Sequence, residues 1–294
     1  MLTFVSVFLE TNGLYFLRLH RVLVSAVFYF GLPVFLHFSM TARSATTMDS
    51  QSLSVGSVVF LGDSHTWLGG NDCTREEGWT SSFRSFFSNS SYRSYARSGA
   101  TWTHTSRTSA DVRDSSSILS DKNVIYNQIL RLRNDVQAHR IPSPDLIIIL
   151  AGTNDAWFGA SRPNRFGVSP ETAFFESDSV LLCYAPGSLT SLSLALRYDC
   201  LLLRHFFPQA RLVLLTPFQS TAFPVRDLRV TASIIESCAN RLGIDLIRLD
   251  TPTLISAARE RRRRTFTVDG THTNKSGARR IGEYVARRIG SLIQ

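Results

Sequence analysis

Beyond residue 50, short apolar runs alternate with longer amphipathic stretches, and this alternation confines the chain to a parallel sheet covered by helices. Strands read at Ser57 to Leu61 (SVVFL), Tyr92 to Ala96, Leu146 to Leu150 (LIIIL), Leu212 to Thr216 (LVLLT) and Leu246 to Leu249. They are short and mostly rich in Val, Ile and Leu, as strands buried on both faces must be. Between them Ile125, Ile129, Leu132 and Val136 recur at helical spacing, which puts one apolar stripe on a helix. Further helices fit Arg226 to Leu242 and Lys275 to Ile293, the latter with Ile281, Val285 and Ile289 every four residues. The expected fold class is α/β: one doubly wound, three-layer domain over residues 49–294 with a mostly parallel five-stranded sheet. Residues near 156–200 are rich in Gly, Pro and Ser at first and read as an insertion after the third strand.

Composition narrows the class without choosing a function. Apolar residues make up 44% of the 294 and charged ones 19%, which is ordinary for a globular chain. The net charge is +9; residues 1–48 hold three arginines and one glutamate, so +7 belongs to the remainder. Its densest cluster, Arg259 to Arg264, has no interleaved aromatics, so it reads as a solvated helix end or loop, with an anionic partner as the alternative and no nucleic-acid site expected. Cys73, Cys183, Cys200 and Cys238 lack the CxxC spacing of a metal or redox site, and no metal is expected. Cys183 and Cys200 are the best-placed pair if a disulfide forms.

Residues 22–38 (VLVSAVFYFGLPVFLHF) follow Arg18 and Arg21 and precede small residues at Ala42 to Ala45, so residues 1–48 read as a signal-like or membrane-anchor segment. On that reading the protein is exported, with membrane association through this segment. The rival reading is a cytoplasmic protein that starts at Met40 or Met48.

Four separated clusters carry chemistry. The first strand ends abruptly in Gly62-Asp63-Ser64, which exposes a serine at the carboxyl edge of a sheet; the same residues also suit a helix N-cap. Near the far end, Asp269 precedes His272 by three residues across a Gly-containing turn, so the carboxylate can meet Nδ1 and leave Nε2 free for a nucleophile. The turns Ser98-Gly99-Ala100 and Ala151-Gly152-Thr153-Asn154-Asp155 each follow a strand. Acyl transfer needs donors for a developing oxyanion, and the Gly99 amide and the Asn154 side chain would supply two beside the Ser64 amide.

Together these blocks resemble the SGNH/GDSL hydrolase superfamily, whose Ser, Gly, Asn and His blocks match Ser64, Gly99, Gly152 to Asp155, and Asp269 to His272. The resemblance runs in order from about residue 55 to the C-terminus. It implies a flavodoxin-like α/β/α sandwich and hydrolysis of ester bonds with no metal or organic cofactor. Ser64, Asp269 and His272 would form the triad, and Ser64, Gly99 and Asn154 the oxyanion hole. His65 departs from the aliphatic residue that commonly follows the nucleophile, and reads as lining or packing.

The tryptophans Trp67, Trp79, Trp102 and Trp157 all lie near a motif block. Indoles stack on sugar rings and line acyl pockets, so Trp67, Trp102 and Trp157, with His65, are candidates for lining the substrate. The expected substrate is a small-molecule or glycan ester carrying a short acyl or acetyl group. A lipase or lysophospholipase, an O-acyltransferase and a glycan-binding protein that keeps the fold without catalysis are the alternatives.

Overall fold

The computed structural model describes residues 55–293 apart from 88 and 114–116, so the signal-like segment and its apolar run 22–38 lie outside the described residues. In chain order the elements are β1 (Ser57–Gly62), α1 (Ser64–Trp67), α2 (Trp79–Arg84), β2 (Ser91–Ser94), α3 (Ile125–Gln137), β3 (Leu146–Leu150) and α4 (Thr153–Trp157). They continue with α5 (Pro170–Ala173), α6 (Asp178–Leu181), α7 (Leu192–Phe206), β4 (Arg211–Leu215), α8 (Val225–Leu242), β5 (Asp245–Ile247), α9 (Ala257–Arg262) and α10 (Lys275–Ile293). All five strands are parallel, in the order β2-β1-β3-β4-β5.

That order is the flavodoxin-like one, and its physical origin is legible in the strands. A strand turns successive side chains to opposite faces. Val59, Leu61, Ile147, Ile149, Leu212 and Leu214 therefore enter one core, where α3, α7 and α8 pack. Val58, Phe60, Leu146, Ile148, Val213 and Leu215 enter the other, covered by α2 and α10. Both sides of each central strand are buried, which is why these runs show no polar alternation.

The reversal of winding falls between β1 and β3, which pair with each other while their connections leave toward opposite edges. Loops there must diverge, and the crevice they leave is where such sheets take ligands. Gly62 closes β1 against β3: a Cβ at this position would stand 2.3 Å from the Leu150 carbonyl oxygen, so no larger residue fits. The stretch from 158 to 191 consists of short helical turns, including α5 and α6. From Leu192 the chain is α7, the crossover helix between β3 and β4, so the expected insertion ends there rather than at 200.

Two further expectations meet the structure here. Cys183 and Cys200 are free thiols: Cys200 is buried in the core under α7, whereas Cys183 is exposed. The sheet, expected to be mostly parallel, is wholly so. No helix among the described residues is long and apolar enough to cross a membrane.

Candidate active site

Ser64 is the first residue of α1, directly beyond β1. Asp63 caps that helix, its Oδ1 accepting the His65 amide at 3.1 Å, while the Asp63 amide donates to the Leu150 carbonyl at 3.2 Å. The serine is therefore held at the crevice by the two central strands. Burial pushes the Asp63 carboxyl up to about 7. The side-chain amide of Gln128, on α3, clamps the strand end from one side: Oε1 accepts the Gly62 amide at 2.9 Å and Nε2 donates to the Gly62 carbonyl at 2.8 Å.

His272 reaches Ser64 from 208 residues away, with 2.9 Å between Nε2 and Oγ, and its Nδ1 lies 2.7 Å from Asp269 Oδ2. The second Asp269 oxygen accepts the amides of Thr271 and His272 at 2.8 and 2.7 Å. Burial alone would raise the Asp269 carboxyl, but the His272 ring and these two amides outweigh it and hold the group below its ordinary value. The carboxylate is thus ionised at neutral pH and fixes the imidazole so that one nitrogen faces the serine. This chain of contacts can take a proton from Ser64 and stabilise the imidazolium that results.

The turn that carries the pair has a support absent from the sequence reading. Glu260, fully buried on α9, accepts the Phe266 and Thr267 amides and the Thr267 hydroxyl, at 2.6 to 3.2 Å. Thr267 Oγ1 in turn accepts the Gly270 amide at 3.1 Å, inside the Asp269–His272 turn. In the sequence, Glu260 is hidden among arginines and resembles one more surface charge; only its burial reveals the role.

Gly99 and Asn154 approach from the loops after β2 and β3. Among the described residues the Ser64 and Gly99 amides donate to no protein acceptor. Asn154 is buried and donates one amide hydrogen to the Ala100 carbonyl at 2.8 Å, which ties the two loops together. Asp155 strengthens that tie by accepting the Trp102 amide at 3.1 Å, the Thr103 amide at 2.9 Å and the Thr103 hydroxyl at 2.7 Å. Its role was also not read from the sequence, where it looked like the next residue of a motif.

Two of the residues expected to line the substrate do not. Trp102 is buried in the core with α3 and α7, because its backbone is drawn inward by Asp155. His65 is buried too, its ring 4.2 Å from Phe218 and 5.7 Å from His272 by centroid. Burial, then repulsion from His272, pushes its pKa down to about 3, so it packs as a neutral ring. Trp67 and Trp157 remain partly exposed at the crevice loops, Trp157 stacked on Phe158 at 5.1 Å. Trp79 fills the opposite core under α10. Among the described residues no three His, Cys, Asp or Glu side chains converge as a metal site would require.

Residues 60–280 match the profile of the GDSL-like Lipase/Acylhydrolase family. No curated protein matched the chain. Among solved structures, a protein assigned as a GDSL-like lipase from Bacteroides ovatus is 17% identical, with a TM-score of 0.52 over 81% of this chain and 99% of its own. Another so assigned, from Bacteroides uniformis, is 20% identical, with a TM-score of 0.52 over 81% and 96%. A possible lipase from Chitinophaga pinensis is 16% identical, with a TM-score of 0.51 over 80% and 98%. At such identities the likeness establishes the α/β fold.

Proposed function

The chain belongs to the GDSL-like lipase/acylhydrolase family and is by that membership an ester-bond hydrolase, and we propose that it works through an acyl-serine formed on Ser64. The observation that carries this reading is the unbroken contact from Ser64 Oγ through the His272 ring to Asp269, at 2.9 and 2.7 Å. His272 removes the Ser64 proton as Oγ attacks the ester carbonyl, and Asp269 stabilises the imidazolium. The tetrahedral oxyanion is received by the Ser64 and Gly99 amides and by the second amide hydrogen of Asn154, the first being spent on Ala100. His272 returns the proton to the leaving alcohol, then activates the water that frees the acid. Asp269 and His272 are thus catalytic, and Gln128, Asp155 and Glu260 are positioning residues.

The substrate we propose is a short-acyl ester, such as an acetyl ester, of a polar alcohol such as a sugar. The cavity that opens beside Trp67 supports this over a long-chain lipase, because its walls include Asn71, Asp72 and arginines rather than aliphatic side chains. A non-catalytic glycan-binding role is disfavoured, since binding alone has no use for the Ser64–His272–Asp269 contacts. Export through residues 22–38 belongs to the same proposal and is supported by the sequence pattern alone.

The test is a rate series on aryl esters of increasing acyl length and on acetylated sugars, with Ser64→Ala as control. Turnover should be highest for acetyl esters and fall with chain length, and Ser64→Ala should abolish it while circular dichroism is unchanged. Activity that survives in Ser64→Ala would remove the nucleophile assignment; a preference for long chains would remove the short-acyl assignment alone.

A further inference from the structure

The cavity beside Trp67 has a charge that ester hydrolysis by itself does not explain. It encloses about 450 Å³, enough for a sugar-sized group, and Trp67, Asn71, Asp72, Arg75, Arg93 and Arg97 wall it. Three arginines and one carboxylate line it, with the Asp135 carboxylate near Arg93 through the Tyr95 hydroxyl. The lining carboxylate is already engaged, Asp72 Oδ1 accepting the Thr74 amide and hydroxyl at 3.3 and 2.9 Å, and the Thr74 hydroxyl contact holds its pKa below the ordinary value. Like charges gathered on one concave surface repel one another and favour a bound anion.

None of the proposed reacting residues walls the cavity, but two of its lining residues connect it to Ser64. Trp67 lies one helical turn beyond Ser64 in α1. The Arg97 amide donates to the Gly62 carbonyl at 3.1 Å, which sets Arg97 against the strand end that presents Ser64. Two residues on, Gly99 supplies an amide to the oxyanion. Arg97 is itself largely buried and anchored, Nη1 donating to Asn71 Oδ1 at 3.0 Å, whereas Arg75 and Arg93 are exposed at the rim. Arg93 leans over the Tyr95 ring at 5.9 Å. A guanidinium presents paired N–H donors in the geometry of a carboxylate or phosphate, and the two exposed at the rim, Arg75 and Arg93, with the anchored Arg97 between them and the strand end, make a receptor for such a group.

We propose that this cavity binds an anionic group, carboxylate or phosphate, carried by the ester substrate, and so makes the protein selective for acidic esters. The proposal rests on the hydrolase reading above and names the substrate class of that site. Ser64 would act on an ester whose remaining half reaches the cavity, with Trp67 stacking on its ring and the arginines taking its charge.

Two measurements on the full chain test it. In the first, acetates of three phenols matched in leaving-group acidity are compared: one neutral, one with a ring carboxylate and one with a ring phosphate. At low salt kcat/KM should favour at least one acidic ester by about tenfold or more, and the preference should shrink as salt rises. The double variant Arg75→Gln/Arg93→Gln should lose most of that preference, and Arg75→Lys/Arg93→Lys should keep part of it. Both arginines are exposed, so neither change threatens the core. In the second, Ser64→Ala protein is titrated with benzoate and with phenyl phosphate, and the anion that binds identifies the group; binding should weaken about tenfold when Arg75→Gln and Arg93→Gln are added.

Equal rates on all three acetates, with no anion binding that depends on these arginines, would overturn the subsite and leave the hydrolase reading standing. Arginine-dependent anion binding without hydrolysis of any ester would uphold the subsite and remove the hydrolase reading instead.

Discussion

The two halves of the candidate site are held in opposite ways. The proposed nucleophile stands on a buried wall: Asp63, Ser64 and His65 are nearly inaccessible, and contacts to β3 and α3 fix them from distant parts of the chain. The proposed base stands on a turn, with the His272 and Asp269 side chains 29% and 50% exposed, and the geometry of the pair comes from bonds within four residues of each other. A buried wall resists displacement because moving it opens the core. An exposed turn of local hydrogen bonds has less resistance, and here it is supplied by the buried Glu260 carboxylate and by the Ser220 hydroxyl on Thr271, the Thr221 amide on the Gly270 carbonyl and the Thr273 hydroxyl on the Glu77 carbonyl. Precision in the proposed base therefore depends on a few polar contacts around one turn, whereas precision in the proposed nucleophile is spread over the whole sheet.

The strongest way to break this contrast is to ask whether the halves act as one unit. Ser64→Ala and His272→Ala should each lower kcat by about 10⁴-fold or more, and the double variant should fall no more than about tenfold below the worse single one. Single-turnover rates on an activated aryl acetate give the answer, and additive losses would mean that the halves work independently.

A smaller effect sharpens it. Glu260→Gln puts an amide where the Phe266 and Thr267 donors need a carboxylate, so it should lower kcat/KM by about 10- to 100-fold and cost about 1.5 to 3 kcal/mol in urea unfolding. The anion affinity of the Trp67 cavity, measured as above, should be unchanged, because that cavity belongs to the nucleophile wall. A parallel loss of both would show that α9 supports the whole crevice and not the base alone.

The smallest effect on activity is expected at Asp199, in α7 and apart from both halves. It is fully buried with no hydrogen-bond partner for either oxygen among the described residues, and burial raises its pKa well above the carboxylate range. Below about pH 4 both folded and unfolded states hold the proton. As pH rises the unfolded chain releases it first, so wild-type stability falls from pH 4 toward neutrality. Asp199→Asn should remove that component: unfolding free energies near those of wild type at pH 4, higher by at least about 1 kcal/mol at pH 8, and catalytic rates unaltered. An identical pH slope in the variant would place the titration elsewhere, with Asp63 and its pKa near 7 as the next candidate.

Much of this was legible in the chain. The runs SVVFL, LIIIL and LVLLT announce strands buried on both faces, and the helical spacing of Ile125, Ile129 and Leu132 announces α3, because pleat and helix impose their periods on any sequence that forms a core. Gly62-Asp63-Ser64 and Asp269 to His272 were readable for a similar reason: a strand end needs a glycine turn, and an Asp three residues before a His closes on it locally. What the sequence could not supply is which polar residue becomes buried. Trp102 and His65, near the motifs by number, were drawn into the core by Asp155 and Phe218, while Glu260, Gln128 and Asp155 became supports of the site. The arginines at 75, 93 and 97 became one cavity only because β2 ends beside the loop that follows α1. Periodicity and turn chemistry are properties of neighbours along the chain, so the sequence by itself determined the strands, the helices and the two local halves of the site. Burial and convergence depend on strand order, and only the full β2-β1-β3-β4-β5 order of the folded sheet, with α10 packed beside α2, decided that Ser64 and His272 should meet.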